Sequence, residues 1–467
     1  MTKPTSLADF RFDPDNQDDF VDAAFVAIEI ARLLAEGDAE SVRGFLESQE
    51  LADVAAYLEE LDTEPGLAAV RLLPLHDQAE VMGYLRPTSQ LVMATQMGRR
   101  ELARLMSAMS HDERADLYKQ LDDEVQEAIL PALSKAERED LRRLASFEEG
   151  TVGSIMTSDY ATLRPEMTAA QAIEALRAQA LEAETVYTAY IVDDARHLIG
   201  VVSLRDLLMA RPRQQVSDIM DTEPVWIRAG AEQEEAARMI ARYDFIALPV
   251  LDEAGRLVGI VTADDAMDVA EDETTEDIHK GGMVAPIETS VAEATIAVLY
   301  KARIYWLVLL VFGNIFSGAG IAYFEDTIAA HLSLLFFLPL LIASGGNAGT
   351  QSATLMVRAL ATGDVRTADF GRLLVREAVI ALALGLTMAL AVAGIGVWRG
   401  GMEIAVVVSA AMVGIVLMGA LVGMSLPFIF ARFNRDPAAA SGPLVTSLAD
   451  VLGVLMYFGI ATALLEL

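Results

Sequence analysis

The chain has 467 residues, of which 53% are hydrophobic, and its mean hydropathy is positive at +0.36. This composition is typical of a protein that is partly embedded in a membrane, and the length allows several domains. Cysteine is absent, which excludes a disulfide framework and fits a reducing compartment for the soluble portion. The N-terminus lacks a basic region followed by an apolar run, so we expect no cleaved signal peptide.

The net charge of −33 is concentrated in the first two thirds of the chain. The residues before Ala302 carry 59 acidic and 27 basic side chains, whereas the rest carry 9 and 8. Such an acidic portion argues against a nucleic-acid partner, because phosphate binding requires a basic surface. Three explanations stay open: simple solubility, a saline habitat, or the binding of divalent cations.

The N-terminal third is predicted to be helical. Residues 1–20 are polar and rich in Asp, and we expect a disordered tail there. From 21 to 148, apolar residues recur every three or four positions, which predicts an all-α superhelical domain built from repeated helix pairs. Its two histidines, His76 and His111, stand alone in the sequence. We predict that both are caps or surface residues.

Residues 149–270 contain a duplicated unit, with one copy in 149–212 and the other in 213–270. Each copy has the pattern strand, helix, strand, turn, strand, helix, which predicts an α/β domain. The last strands of the two copies are predicted to end in Gly-Val-Val-Ser and Gly-Ile-Val-Thr, and the motifs Ser203-x-x-Asp206 and Thr262-x-x-Asp265 follow from these strand ends. These features resemble a pair of CBS domains.

The resemblance to a CBS pair implies one pseudo-symmetric module that can bind an adenine nucleotide such as ATP. In that family the acid after the last strand can hold the ribose. This implies Ser203 and Asp206 as nucleotide-binding residues here. A CBS pair that binds no nucleotide is an equally open alternative.

An acidic run follows the second copy and leads into the apolar part of the chain. We predict a connecting helix over 271–302. Asp265, Asp268, Asp272 and Glu276 have helical spacing and fall on one face. Divalent cations would relieve the repulsion between these carboxylates. The alternative is a solvated linker, which is the usual interpretation of a charge run.

The remaining residues, 303–467, are predicted to form an all-α transmembrane domain of five helices. The apolar segments that are long enough to cross a bilayer are 304–323, 332–356, 373–398, 404–430 and 443–465. Basic residues are concentrated in the loops of one side, which places the N-terminal domains in the cytoplasm and the C-terminus outside. We therefore predict a multi-pass protein of the cell (inner) membrane, in contact with lipid. Five helices are few for a conduit, so we expect a homodimer with the path on its two-fold axis.

Two stretches carry polar groups at membrane depth. Asp450 lies about a third of the way into the last apolar segment, where a charge costs roughly 2.5–3.5 kcal/mol to insert. Residues 344–354 contain three glycines together with Asn347, Thr350 and Thr354. These oxygen ligands favour a hard cation such as Mg²⁺, which gives up its water reluctantly. The alternatives are an acid that reaches back to the headgroups and ordinary helix packing through small residues.

The energetics favour a channel or facilitator over a pump. A divalent cation gains about 4.6 kcal/mol on entering a cytoplasm that is negative by about 100 mV. The sequence has no phosphate-binding loop of the ATPase type. It also has no recognisable set of nucleophile and base, so we expect no enzyme.

The order of domains and motifs along the chain, from about residue 25 onward, resembles that of the bacterial MgtE magnesium-channel family. The similarity rests on the helical domain, the CBS pair, Thr275-Glu-Asp-Ile-His-Lys280, Gly-Gly-Asn in the second span and Ser-Leu-Ala-Asp450 in the fifth. It implies a homodimer with Asp450 in its pore, and Thr350 stands where some members have Asn. It further implies cytosolic Mg²⁺ sites that lock the channel shut when Mg²⁺ is plentiful. The acids that correspond to these gating sites are Glu80, Asp112, Asp116, Glu234, Asp244, Asp265, Asp268, Glu273, Glu276, Asp277 and Asp436.

Under this hypothesis, Mg²⁺ bridges the soluble domains and the connecting helix, which then plugs the pore. Two alternatives stay open. One is a channel for another divalent cation such as Co²⁺. The other is a membrane-anchored CBS sensor that reads adenine nucleotides and transports nothing.

Overall fold

The computed structural model describes residues 19–180, 183–287, 291, 294–433 and 435–465, and of 19–22 the backbone alone. The predicted tail at 1–20 therefore lies almost entirely outside the described residues. The chain forms two compact units, Met1–Glu271 and Asp272–Leu467. Each unit has its own hydrophobic core.

The described part of the first unit begins with short helices. They are α1 (Asp19–Glu36), α2 (Ala39–Leu46), α3 (Leu51–Glu59), α4 (Thr63–Val70), α5 (Leu75–Tyr84), α6 (Pro87–Gln96), α7 (Arg99–Ala108), α8 (His111–Gln120), α9 (Asp123–Ile129) and α10 (Lys135–Leu144). Many of these helices pack on the next helix but one in the chain, as α3 does on α5 and α5 does on α7. Leu46, Leu58, Met82 and Leu105 are fully buried between them. The predicted all-α N-terminal domain is confirmed.

Local sequence explains where these helices begin. Pro87 stands in the first turn of α6, where its missing N–H costs no hydrogen bond. At α10, the backbone N–H of Glu137 donates to Ser134 Oγ at 3.2 Å, and the N–H of Ser134 donates to Glu137 Oε2 at 2.6 Å. This capping box satisfies two backbone donors that the helix itself leaves free.

The duplicated unit forms two three-stranded sheets with flanking helices. The first copy contains β1 (Tyr160–Leu163), α11 (Ala169–Gln179), β2 (Thr185–Val192), β3 (Leu198–Ser203) and α12 (Leu204–Met209), and the second contains β4 (Ile227–Arg228), α13 (Gln233–Tyr243), β5 (Ala247–Leu251), β6 (Leu257–Thr262) and α14 (Ala263–Gly281). In each sheet the middle strand pairs parallel with the first strand and antiparallel with the third. The predicted pair of α/β CBS domains is confirmed.

The two copies also pair with each other through their backbones. The N–H of Thr157 donates to the carbonyl of Ile260 at 2.9 Å, and the N–H of Leu257 donates to the carbonyl of Arg196 at 2.9 Å. Arg196 and Gly255 occupy equivalent positions in the two hairpin turns and have φ values of 68° and 80°. The turns that we predicted before each last strand therefore use the same left-handed geometry.

The helix that we expected over 271–302 has different bounds. It begins directly after β6 as α14 and ends at Gly281. The Gly281-Gly282 pair and Met283, which has a φ of 55°, stop the helix there. After Gly281, the chain contacts the first long helix of the second unit: the N–H of Ala285 donates to the carbonyl of Ala302 at 2.9 Å.

The second unit consists of long apolar helices. They are α15 (Ile296–Tyr323), α16 (Glu325–Ala330), α17 (Leu334–Ala361), α18 (Phe370–Arg432) and α19 (Gly442–Leu464). Tyr457 and Phe458 of α19 are fully buried against Phe337 and Leu341 of α17. Tyr457 also donates a hydrogen bond to the carbonyl of Leu334 at 2.9 Å.

The 63-residue helix α18 is a hairpin of two arms. Gly401 has a φ of 81° and a ψ of −176°, which interrupts the helix. The arms then pack on each other, because a Cβ built on Gly396 would lie 2.8 Å from Cα of Ala405. A Cβ on Gly385 would likewise lie 3.0 Å from Cα of Val413. The glycines let the two backbones approach closely.

The count of five spans is not confirmed. Among the described residues, three helical segments are long and apolar enough to cross a membrane: Ile296–Tyr323, Thr367–Arg432 and Gly442–Leu464. The 66 residues of the second segment contain the hairpin of α18. The polar second half of the 28-residue α17 lowers its hydropathy, so α17 does not join this set.

Candidate functional site

Two glycines of the polar stretch 344–354, Gly345 and Gly349, pack α17 on the second arm of α18, and the third, Gly346, packs against Thr446 of α19. A Cβ on Gly349 would lie 2.7 Å from the carbonyl oxygen of Gly419 and 2.7 Å from Cγ1 of Val445. Gly345 makes the equivalent approach to α18 one helical turn away, where its backbone contacts Gly419. The packing alternative is therefore correct for these glycines.

The polar residues of α17 lie on a different side of the helix. Asn347 and Thr354 are exposed, and Thr350 is half-buried. Their spacing of three and four residues places them on one face. The structure thus separates a glycine face, which packs, from a polar face, which is available to other contacts.

Asp450 continues this polar face on α19. Thr350 Oγ1 lies 3.4 Å from Thr446 Oγ1, so the two helices meet through hydroxyl groups. Thr446 precedes Asp450 by four residues, which places both on the same side of α19. Asp450 is half-buried. The carboxylate, Thr446 and Thr350 therefore follow one another along the junction of α17 and α19.

A second carboxylate in the membrane unit, Glu377, was missing from the predicted site. It lies on the first arm of α18 and accepts a hydrogen bond from the buried hydroxyl of Ser352 on α17. Ser352 belongs to the predicted polar stretch, but its partner is 25 residues away in the chain. Glu377 could have been suspected as an acid near the start of an apolar segment.

One cluster of predicted gating acids gathers around a lysine in the second unit. We call Glu276, Asp277, Lys280 and Asp436 the α14 junction. Lys280 Nζ donates to Asp436 Oδ2 at 2.6 Å and lies 2.7 Å from Glu276 Oε1. Burial, and after it the charge of Asp436, raises the pKa of Asp277. The structure therefore brings three predicted acids together and adds a cation that the predicted site did not include.

A second cluster joins α8 to the start of α14 within the first unit. Burial, followed by the charge of Asp112, raises the pKa of Asp265 to about 7. The same two causes raise the pKa of Glu113 to about 8. Asp112 also has a raised pKa, chiefly because of burial, and its Oδ1 lacks a hydrogen-bond partner among the described residues. Asp112 and Asp265 are thus close enough to oppose each other's ionisation, and Glu113 is a member that the sequence did not identify.

The other predicted gating acids are more dispersed. Glu80 and Asp116 are exposed on α5 and α8, and Asp116 pairs with Lys119 at 3.1 Å. Glu234 lies in the first turn of α13 and pairs with Arg238 at 3.4 Å. The remaining two, Asp268 and Glu273, lie on α14. In the described part of the chain, no three acidic or histidine side chains converge closely enough to hold a metal ion by themselves.

A cavity of about 860 Å³ lies between the two CBS copies. Its lining includes Ser203, Asp206 and Asp244. Ser203 Oγ donates to Asp206 Oδ2 at 2.5 Å and caps the first turn of α12. The predicted nucleotide-binding pair is therefore at a cavity. Asp244, which was predicted as a gating acid, lines the same cavity at a φ of 54° after the end of α13.

The prediction that His111 is a cap or surface residue is wrong. Its Nδ1 lies 2.6 Å from Ser158 Oγ, 2.8 Å from Asp140 Oδ2 and 3.1 Å from Asp159 Oδ1. Burial alone would raise the pKa of Asp140, but the interaction with His111, the charge of Arg143 and the hydrogen bond from Ser158 together hold this pKa well below its usual range. His111 thus links α8 to α10 and to the segment that enters β1, which are contacts that its isolated position in the sequence could not reveal.

Comparison with known proteins gives matches along most of the chain. The family models that match are the MgtE intracellular N domain over residues 49–150, the CBS domain over 152–213 and 216–272, and MgtE, described as a divalent cation transporter, over 338–460. The matched regions contain both acidic clusters, apart from the end of α14, and the polar faces of α17 and α19.

Individual relatives match over almost their full length. Magnesium transporter MgtE of Thermus thermophilus is 39% identical over 444 residues, which cover 94% of this chain and 99% of that protein. Magnesium transporter MgtE of Bacillus subtilis is 32% identical over 440 residues, which cover 94% and 97%. Among solved structures, the cytosolic domain of the Mg²⁺ channel MgtE in complex with ATP is 38% identical at a TM-score of 0.50, and the match covers 52% of this chain and 99% of that one. The chain therefore belongs to the MgtE family.

Proposed function

We propose that this protein is a Mg²⁺-selective channel that imports Mg²⁺ down its electrochemical gradient. The observation that supports this most is the position of Asp450, a half-buried carboxylate on the junction of two apolar helices. Intramembrane acids are costly and are usually functional. The relatives from Thermus thermophilus and Bacillus subtilis are named magnesium transporters.

The chemistry of the polar face suits a largely hydrated Mg²⁺. Asp450, Asn347, Thr350 and Thr354 offer only oxygen ligands, which prefer hard cations. One carboxylate from each subunit of a homodimer would supply the negative charge, and the neutral side chains would contact bound water. This arrangement needs few direct ligands, as Mg²⁺ keeps several of its waters in most protein sites.

The orientation follows from the distribution of basic loops. We infer a multi-pass protein of the cell (inner) membrane with cytoplasmic N-terminal domains, an external C-terminus and a path on the two-fold axis of the homodimer. A negative cytoplasm would then drive Mg²⁺ inward without ATP hydrolysis. The family membership favours a transporter over an enzyme.

Cytosolic Mg²⁺ would close the channel through the acidic clusters. Asp112 and Asp265 belong to the first unit, whereas Glu276, Asp277 and Asp436 belong to the second. Each cluster gathers carboxylates that repel one another, so a divalent cation binds best where they are brought together. The ligand therefore favours the closed arrangement, as a population shift requires.

The CBS cavity would bind ATP. Its volume suits a nucleotide, and Asp206 would accept hydrogen bonds from the ribose hydroxyls. The related cytosolic domain was solved in complex with ATP. The nucleotide would regulate the channel, since the sequence contains no phosphate-binding loop for hydrolysis.

Mg²⁺ uptake into liposomes tests the proposal. Asp450→Asn keeps the size of the side chain and removes its charge, and we expect uptake to fall by at least about tenfold. Glu403→Gln removes an exposed acid elsewhere in the same unit and should keep wild-type uptake. Wild-type uptake by the Asp450 variant would refute the pore assignment. No uptake by the wild type would favour the CBS sensor, and stronger flux of Co²⁺ than of Mg²⁺ would favour the other channel.

A further inference from the structure

Lys280 is the one charged group of the α14 junction that the proposed gating does not use. It stands in the last turn of α14, and its side chain is 30% exposed. A cation at this end of a helix is favoured by the helix dipole. Its two carboxylate partners, Glu276 and Asp436, are each 38% exposed, so the ion pairs are only partly screened by water.

The two partners of Lys280 differ in what they connect. Glu276 precedes Lys280 by four residues on the same helix, so this pair can persist wherever α14 lies. Asp436 follows α18 and precedes α19, 156 residues along the chain. Of these two bonds of Lys280, the one to Asp436 joins α14 to the loop between α18 and α19, so this bond is the one that breaks when α14 moves away from that loop.

Asp436 is itself held in place. Its Oδ1 accepts a hydrogen bond from the backbone N–H of Ala438 at 2.8 Å, while its Oδ2 accepts the bond from Lys280. The carboxylate therefore presents one fixed oxygen to the lysine. Partial burial alone would lower the pKa of Lys280, but its hydrogen bonds to Asp436 and Glu276 raise that pKa well above its ordinary value, so the ammonium stays charged.

We propose that Lys280 is a built-in cation that holds α14 against the α18–α19 loop in the absence of Mg²⁺. The ammonium occupies the position between Glu276 and Asp436 where a bridging divalent cation would otherwise act. Three carboxylates and one ammonium leave a net charge of −2 at the α14 junction. Lys280 thus favours the closed arrangement even when no Mg²⁺ is bound. One divalent cation would then neutralise the remaining negative charge.

The effect of this latch on flux rests on the proposed function, but the latch itself can be measured as a distance. The chain contains no cysteine. Nitroxide labels on Thr275→Cys and Ala439→Cys, both exposed positions, therefore report the separation of α14 from the loop by electron paramagnetic resonance. Full-length protein in nanodiscs, diluted with unlabelled protein, limits the signal to one chain.

In EDTA, we expect Lys280→Gln to increase the population with long distances about two- to fivefold, the range for a partly exposed ion pair. Lys280→Arg keeps the positive charge and should give the same distribution of label distances as the wild type. Arg435→Gln removes a neighbouring exposed cation and serves as the matched control. A Lys280→Gln distribution equal to the wild type would overturn the proposal, as would an equal effect of Arg435→Gln.

Liposome flux supplies the second readout. With EDTA inside, Lys280→Gln should conduct Mg²⁺ about two- to fivefold faster than the wild type if the channel is less often closed. With saturating internal Mg²⁺, both should be shut. If the wild type conducts no Mg²⁺, the proposed function fails, while the distance measurement still decides whether Lys280 holds α14.

Discussion

The contact between Gly349 and Gly419 predicts that a single methyl group will disrupt the membrane unit. In Gly349→Ala, the new Cβ would lie 2.7 Å from the carbonyl oxygen of Gly419 and 2.7 Å from Cγ1 of Val445. Ordinary van der Waals contact begins near 3.4 Å, so the fit is short by about 0.7 Å on two sides. The methyl group would be confined between the backbone of α18 and a side chain of α19.

The expected cost lies in the upper part of the range for overpacked cores. Overpacking typically costs about 1–3 kcal/mol, and the oxygen of Gly419 cannot rotate away because it belongs to helical backbone. Moving α17 by a few tenths of an ångström would also disturb the contact of Thr350 with Thr446. We therefore expect the apparent melting temperature to fall by about 5–10 °C and Mg²⁺ uptake to fall with it.

A second glycine of the same unit provides the control. A Cβ on Gly394 would meet no atom within 4 Å. Gly394→Ala should therefore leave stability unchanged or raise it slightly, because alanine favours the helix. Thermal unfolding of both variants in the same detergent gives the comparison. If Gly349→Ala is as stable as Gly394→Ala, the close packing of α17 on α18 is not present in the protein.

Three further predictions concern the soluble part and the α14 junction. Replacing Glu276 with Gln and Asp277 with Asn should leave Mg²⁺ uptake running at millimolar internal Mg²⁺, and persistent shut-off in liposomes would contradict the gating role. Asp206→Asn should weaken ATP binding about tenfold through the loss of a charged acceptor, whereas Asp265→Asn should not, and titration calorimetry distinguishes the two. The pKa values of about 7 for Asp265 and about 8 for Glu113 lie above the unfolded values, so the folded state binds more protons between about pH 4 and pH 8. In EDTA the melting temperature should therefore fall as the pH rises through this window. Adding Mg²⁺ should raise the melting temperature more at about pH 8 than at about pH 5.5. A melting temperature that rises with pH in EDTA would contradict the clustering of these acids.

The elements with a clear period could be predicted from the sequence. Helical spacing in 21–148 and the duplicated pattern in 149–270 each correspond to what the structure contains. The number of transmembrane helices was harder to predict, because the Gly401 turn is so tight that two helical arms follow each other without a loop. The polar residues of α17 also reduce the apolar signal of a helix that nevertheless packs deeply among the others.

The site could be predicted only where a residue is unusual in itself. Asp450 is such a residue, since a carboxylate in an apolar segment needs an explanation. Lys280, Glu377 and His111 each pair with a residue of another element, and these partners lie 156, 25 and 29 or more residues away. Pairings over such distances depend on tertiary packing, so no local pattern identifies them.

The two CBS copies illustrate how packing determines the use of a motif. Ser203 donates to Asp206 at 2.5 Å, and Thr262 donates to Asp265 at the same distance. The local structures are thus alike. Asp206 lines an open cavity, whereas Asp265 is half-buried beside the charge of Asp112 on α8. Under the proposed function, the first copy would serve a nucleotide and the second a divalent cation, because the helical domain places a second carboxylate, that of Asp112, beside Asp265.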